Sequence, residues 1–424
     1  MDRTARISGF HRLSVSERLG KLQEFAALSD EEVALLNRRA HLDIETADRM
    51  IENVVGTFEL PLGIATNLLI NGKEYLVPLA VEESSVVAAL SNAANMVRSG
   101  GGFFTTSTGP VMIAQIQLID VPDPFGAKMK ILERRDEVIA IANEQDPVLV
   151  SLGGGCKDIE VRVLDSEMGP MVITHLLVDT KDAMGGNAVN TMAEALARHI
   201  EAYTGGRVLL RILSNLADRR LVRARCLVKK DAIKGGESTV DAILFACAFA
   251  DADPYRAATH NKGIMNGITP IVIATGNDSR AIEAGAHAYA ARSGRYRALS
   301  RWEKTAEGDL EGTIEMPLAA GLIGGATALH PLAKVSLKVL GVTRAAELSE
   351  IMAACGLGQN LAALRALASE GIQRGHMSLH AKNIAMMAGA AGALIDKVAQ
   401  RLVEDGKIRV DWAKKILEEF SRKS

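Results

Sequence analysis

Apolar and polar positions change period several times along the chain, and each change marks an element. From Ser16 to Thr57 the spacing is helical, with SDEEVALLNRR opening on Ser29-Asp30 and acids in the first turn, as a capped helix start does. The following stretch, ENVVGTFELPLGIATNLLINGKEYLVPLAVEE, alternates in short runs around Pro61, Gly63 and the turn Asn71-Gly72. It predicts a β-hairpin ending in a strand from Tyr75 to Val81. That strand delivers Glu82 and Glu83 to the start of a small-residue helix, Ser84-Ser85-VVAALSNAANMV. The Gly100-Gly101-Gly102 run and the turn at 107–110 then mark a boundary.

Between about 110 and 213 the pattern reads β-α-β-β-α-β. VMIAQIQLI is a strand, PFGAKMKILERRDEVIAIANEQ a charged amphipathic helix, and IEVRVL and MVITHLLVD two strands joined by a turn from Ser166 to Pro170. Val189, Met192, Leu196, Ile200 and Tyr203 then recur at helical intervals up to Gly205-Gly206, before the strand RVLLRIL. This is the split βαβ, or ferredoxin-like, plan, inserted into a larger domain.

SNLADRRL returns the chain through the strand LVRARCLV to the helix DAILFACAFADADPYRAATHN. The apolar run Ile268 to Ala274 follows, bounded by glycines, and predicts a short buried strand with Lys262 before it and Asp278 after it. On this reading the strand sets the distance between the ammonium and the carboxylate. EAGAHAYAARSG is a helix, GTIEMPL a strand, and the remainder is largely helical. The last fifty or so residues, rich in Ala and Lys, are expected as surface helices with few tethers and freedom to move. The expected class is α+β: a large α/β domain (1–109 and 214–375), an insert (110–213) and a C-terminal helical flap (376–424).

Composition narrows the function. At 424 residues, with 48% apolar and 24% charged side chains, the chain suffices for two or three globular domains. A net charge of -2 from 49 basic and 51 acidic residues gives no electrostatic case for nucleic acid or an anionic membrane, so any anionic ligand must be met by local groups. No segment has signal-peptide or membrane-span character, which predicts a soluble cytoplasmic protein. Cys156, Cys226, Cys247 and Cys355 stand far apart, so neither a zinc site nor a disulfide framework is expected.

Two glycine-rich loops invite a phosphate. SLGGGCKD at 151–158 does not fit the Rossmann fingerprint. DAMGGN at 182–187 follows a strand and opens a helix, where free backbone N–H groups can meet a pyrophosphate. His376 and His380 are four apart in GHMSLH, but without an intervening Glu or a third ligand no metal is expected.

Taken together, ENVVGTFELPLG, VEESSVVAA, GGGCKDIEV, DAMGGNAVNTM, RILSNLADRR, THNKGIMNGI, ATGNDSRA and GIQRGHMSLHAKN resemble, in collinear order, the motifs of 3-hydroxy-3-methylglutaryl-CoA (HMG-CoA) reductase in its bacterial, soluble second class. The resemblance implies a four-electron reaction in which HMG-CoA and two NAD(P)H give mevalonate and CoA, or the reverse. It also implies a dinucleotide-binding small domain, a C-terminal flap, and a homodimer, itself able to assemble further, whose active site is shared. Lys262 matches the catalytic lysine, Asp278 the aspartate that tunes it, Glu83 the catalytic glutamate and His376 the general acid. These roles make chemical sense. A fixed ammonium stabilises the oxyanion formed at a thioester carbonyl, a histidine can protonate a CoA thiolate whose thiol has a pKa of about 8.5, and a buried glutamic acid can supply the proton for aldehyde reduction.

For the dinucleotide, the resemblance implies Asp146 on the adenosine ribose, where its charge would repel a 2'-phosphate and favour NADH over NADPH. Asp182, Met184, Gly185, Gly186 and Asn187 follow from DAMGGN, and Asn215 and Asp218 from SNLAD. Substrate contacts would fall on Ser85, Arg256, Asn266 and Asn360, with Arg12 on the CoA phosphates. Gly186 stands where Ala is usual, and Ser84 where Pro is, which loosens the turn at Glu83. An NADH preference leans toward mevalonate degradation. Two other classes remain open on the residues: a lyase forming a Schiff base on Lys262, and a CoA-thioester-binding protein without catalysis.

Overall fold

The computed structural model describes residues 4–37, 42–368 and 372–422, and for 372–379 and 421–422 it describes the backbone alone. Ten strands are present among the described residues: β1 (Leu62–Ile70), β2 (Lys73–Ala80), β3 (Phe103–Ser107), β4 (Val111–Ile119), β5 (Gly155–Leu164), β6 (Met171–Asp179), β7 (Arg207–Ser214), β8 (Leu221–Val228), β9 (Ser300–Lys304) and β10 (Leu310–Pro317). They make a six-stranded sheet in the order β2-β1-β3-β8-β10-β9 and a four-stranded sheet in the order β5-β6-β4-β7. The hairpin β1-β2 closes at Asn71 and Gly72, both left-handed (φ 49° and 77°), as the two-residue turn requires.

The smaller sheet is antiparallel throughout, with β6 and β7 flanking β4. Its crossovers are helical: Pro124–Glu133 and Arg135–Glu144 in the first, Gly186–Ala195 and Ala197–Thr204 in the second. This is the split βαβ arrangement. It has a core of its own, including Ile116, Leu118, Ile131, Leu176, Met192 and Leu196. Each predicted crossover helix is broken once, at Arg134 and at Leu196.

The larger core surrounds the 24-residue helix Ala345–Ala368. By length and hydropathy that helix could cross a membrane, yet 72% of its apolar window is buried inside the fold, so it is a core helix. Small residues let it be packed on all sides. A Cβ on Gly267 would lie 2.5 Å from Cys355 O, and one on Gly358 would lie 3.1 Å from Leu90 and from Phe103. The N-terminal helices pack Leu22 and Leu28 against Leu76, Val335 and Val339. The last three helices, Ile372–Met387, Ala393–Glu404 and Val410–Arg422, form a separate cluster around Leu402, Ala413 and Ile416.

The stretch from 268 to 274 is not a strand. It completes a 21-residue helix, Pro254–Ala274, that starts with Pro254 at its first position and an Asp253 cap accepting from Arg256 N at 3.1 Å. The helix is buried around most of its final two turns, so its apolar residues run together and mimic a buried strand. Pro270 sits inside it, where its missing N–H removes one helical hydrogen bond. β3 and β9, five residues each, carry no pattern that singles them out in the sequence.

Candidate active site

Three elements bring the central groups together. β2 ends at Ala80 and the chain turns through Glu83 to Ser85, which caps the helix Val86–Val97 in the left-handed region at φ 75°. A serine held there is strained, and such strain concentrates at working sites. The Ser85 hydroxyl is buried and meets no partner among the described residues.

Across from this turn stands one face of the helix Pro254–Ala274. Lys262 donates to Glu83 Oε2 at 2.6 Å, and Asn266, one turn on, reaches the same carboxylate at 3.4 Å. The pair is open in the single chain, with side chains 59% and 38% exposed for Lys262 and Glu83. Glu83 is therefore not the buried acid expected from the sequence.

Asp278 is not beside Lys262. It caps the helix Ser279–Ala290, accepting from Arg280 N (3.0 Å) and Ala281 N (3.1 Å), and pairs with the Arg280 guanidinium at 3.1 Å. The two helices form a hairpin pinned by a Thr269–Glu283 hydrogen bond, so Asp278 sits at the end remote from Lys262. Twelve helical residues separate Lys262 from Ala274, a rise of roughly 18 Å. The expected ruler was a short strand; a helix makes the separation much longer.

Asn360 is also displaced from its expected role. It is 1% exposed, and its amide is used internally: Ser300 Oγ and Trp302 Nε1 each donate to Oδ1 at 2.8 Å, and Nδ2 lies 3.2 Å from His260 Nε2. Arg256 is half-buried and lies about 120° around the helix from Lys262, to one side of the Lys262–Asn266 face. Arg12 is exposed in the short 3-10 turn Phe10–Arg12. His376 belongs to the backbone of Ile372–Met387, and its side chain lies outside the described residues.

The second expected site, around DAMGGN, is a loop packed closely against its own surroundings. Gly185 caps Gly186–Ala195 at φ 94°, and a Cβ there would lie 2.3 Å from Thr180 Cγ2. On the other side, a Cβ on Gly321 would lie 2.6 Å from Met184 N. The helix that follows has no acid in its first turn, so Asn187 and its neighbours offer N–H groups without a competing carboxylate. These features fit a dinucleotide pyrophosphate.

Asp182 anchors the loop by accepting from Ala345 N at 2.7 Å. Beneath it the buried Arg220 donates to Thr180 Oγ1 (3.2 Å) and Ala183 O (3.0 Å). Burial lowers its pKa to about 10, a guanidinium nonetheless charged at neutral pH, with Asp182 and Asp179 as its nearest counter-charges. The sequence contains Arg219 and Arg220 side by side with nothing to separate them. Only the fold turns one inward.

Asp146 caps the short helix Pro147–Ser151, taking Leu149 N at 2.9 Å. Asn143 holds the adjoining glycine loop by a reciprocal pair with the Cys156 backbone, at 2.7 and 3.1 Å. Asn215 and Asp218 are exposed in the link between β7 and β8. A cavity of 340 Å³ lies toward the far end of the Lys262 helix, between Ile273, His330 and the segment 42–62.

With this geometry in hand, the sequence profile of the hydroxymethylglutaryl-coenzyme A reductase family matches residues 14–381. The chain belongs to that family. A 3-hydroxy-3-methylglutaryl-coenzyme A reductase of Archaeoglobus fulgidus is 62% identical over 416 residues, covering 98% of this chain and 94% of its own. The HMG-CoA reductase of Streptococcus pneumoniae superposes with a TM-score of 0.84 at 42% identity, covering 97% and 99% of the two chains. A second structure from that organism, described as a class II reductase bound to NADPH in open conformations, gives a TM-score of 0.82 over 96% of this chain. Membership makes the chain an HMG-CoA reductase that works with a nicotinamide dinucleotide, and it excludes a Schiff-base lyase and a passive thioester carrier as the main activity.

Proposed function

We propose that this reductase interconverts HMG-CoA and mevalonate with two NAD(H), using Lys262 as the oxyanion partner and Glu83 as the proton donor and acceptor. The observation that carries this is the 2.6 Å contact between Lys262 Nζ and Glu83 Oε2, steadied by Asn266. An ion-paired lysine presents charge rather than a lone pair, which favours electrostatic stabilisation over nucleophilic attack. One such donor is worth roughly 3 to 4 kcal/mol at the transition state. Glu83 lies against Lys262 and can pass a proton to the same oxygen. The dinucleotide supplies the hydride.

His376 is assigned to protonate the departing CoA thiolate, brought in by the C-terminal helices 376–424 as a flap. Residues 1–109 and 214–375 are assigned to the thioester, with Ser85, Asn266, Arg256 and Arg12 on its side, and 110–213 to the dinucleotide. Gly185, Gly186, Met184 and Asn187 would approach the pyrophosphate, while Asn215 and Asp218 edge the cleft. Asp146 would accept from the adenosine 2'-hydroxyl and disfavour a 2'-phosphate, giving an NADH preference and a leaning toward mevalonate oxidation. The S. pneumoniae relative was solved with NADPH, so this preference is a property to be tested in this chain.

Asp278 is assigned to the lysine of a second copy. Its remoteness from Lys262 within one chain, and the openness of the Glu83–Lys262 pair, both favour a site completed by a partner subunit. Four free, buried cysteines suit a reducing cytoplasm.

The test is a steady-state assay of Lys262→Ala. Oxidation of NADH by HMG-CoA should fall by at least about a hundredfold, with dinucleotide binding by fluorescence little changed. Turnover within threefold of the parent would remove Lys262 from the mechanism.

A further inference from the structure

The outer face of the six-stranded sheet carries a cavity whose walls include none of the residues assigned to catalysis above. β8 alternates strictly: Val222, Ala224 and Cys226 enter the core, and Arg223 and Arg225 face outward. The antiparallel register then sets a row across four strands. Phe104 is opposite Arg225, Arg225 is opposite Thr313, and Thr313 is opposite Arg301. A second row places Thr106 opposite Arg223, and Arg223 opposite Glu315. Arg292, just beyond the helix Ser279–Ala290, completes the wall of a 670 Å³ cavity over these rows.

Four guanidinium groups and one carboxylate line this cavity. Glu315 answers only part of that charge. One of its oxygens pairs with Arg223 at 2.6 Å and the other takes the Tyr289 hydroxyl. Arg225 lies over the Phe104 ring at 4.5 Å, and Arg292 over the Tyr289 ring at 3.6 Å. Arg301 pairs with Glu303, but both side chains are largely exposed (74% and 55%), and such a pair contributes little and yields readily to a stronger anion. In a chain whose net charge is -2, a concave surface of this kind is a local focus of positive potential.

We propose that this cavity binds the diphosphate, or two neighbouring phosphates, of a small organic molecule. Arg225 and Arg301 stand two strands apart, about 10 Å between their backbones, with the Thr313 hydroxyl between them. Their side chains can converge on a diphosphate from both ends, each offering a two-pronged donor. Arg292 adds charge from the rim, and Phe104 and Leu299 give an apolar wall for the organic part. The inference is independent of the roles assigned to Glu83, Lys262 and Asp278.

The probe is inorganic pyrophosphate, titrated calorimetrically into the intact protein at about 0.15 M salt, with inorganic phosphate as the weaker comparison. One pyrophosphate should bind per chain. Arg225→Ala combined with Arg301→Ala should weaken it at least tenfold, and the paired Arg→Lys changes, which keep the charge on exposed positions, should weaken it less. The KM for HMG-CoA should be unchanged in those variants, and a raised KM would overturn the proposal by making the cavity part of the thioester site. Absence of binding, binding that the Arg225/Arg301 variants leave intact, or dissociation of the oligomer by those variants would overturn the proposal, the last by making the face a subunit contact.

Discussion

Two side chains turn local chemistry into measurable behaviour. Asp146 spends one carboxylate oxygen on its helix cap, and the proposed dinucleotide assignment gives the other to a ribose hydroxyl. On that assignment, replacing it with Ala should raise kcat/KM for NADPH relative to NADH by roughly tenfold or more. An unchanged ratio would take cofactor choice away from Asp146. His260 governs stability instead. It is 2% exposed, its Nε2 meets Ser300 Oγ at 2.7 Å, and its Nδ1 has no partner among the described residues. Burial, with Arg256 nearby, pushes its pKa from 6.5 down to about 4. The unfolded chain therefore takes up a proton in that interval that the folded chain refuses. Stability is fully present above about pH 6.5 and declines by about 3 kcal/mol as pH falls to about 4. Denaturant unfolding at about pH 7.5 and about pH 5 should show about 2 kcal/mol of this loss, and His260→Gln should flatten it. An equal slope in the variant would assign the loss to other groups. Neither His260 nor Asn360 reveals its interior role in the sequence, because a polar residue in a long helix reads the same whether it faces a ligand or a buried hydrogen bond.

At the scale of elements, the helix Pro254–Ala274 carries Lys262 and Asn266, and the helix Ala345–Ala368 packs against it. Their contact depends on Gly267, where an added Cβ would meet a carbonyl oxygen that cannot step aside. Gly267→Ala should cost about 1 to 3 kcal/mol of stability and depress kcat by shifting Lys262 and Asn266 together. Gly356→Ala, whose Cβ would meet the movable tip of Ile268 at 2.8 Å, should cost less. Thermal unfolding and steady-state rates of the two variants check the order; equal, small effects would mean the helices are not tightly gauged here. The split βαβ unit was legible because its strands alternate and its helices keep one polar face. The stretch 268–274 was not, because a helix buried on most sides loses the periodicity that distinguishes it from a strand. The Pro and glycines around it reinforced the wrong reading.

The whole molecule gathers a central sheet and core helix, an inserted four-stranded sheet, and a C-terminal cluster with its own core. The family was legible at this scale, since eight motifs in one order constrain a chain far more than any single one. The single-chain site was not, because helix length, and not residue order, decides that Lys262 and Asp278 lie at opposite ends of a hairpin. The central claim is that one subunit supplies Glu83 and Lys262, and its partner supplies Asp278. The direct measurement is HMG-CoA reductase activity after Lys262→Ala and Asp278→Ala, each inactive alone, are denatured together and refolded as mixed oligomers. Each mixed dimer then holds one site with both native residues, so about a quarter of the parent activity should return. If Lys262 and Asp278 of the same chain work together, every site in the mixture is defective, and activity that stays at the level of the separate variants would contradict the account.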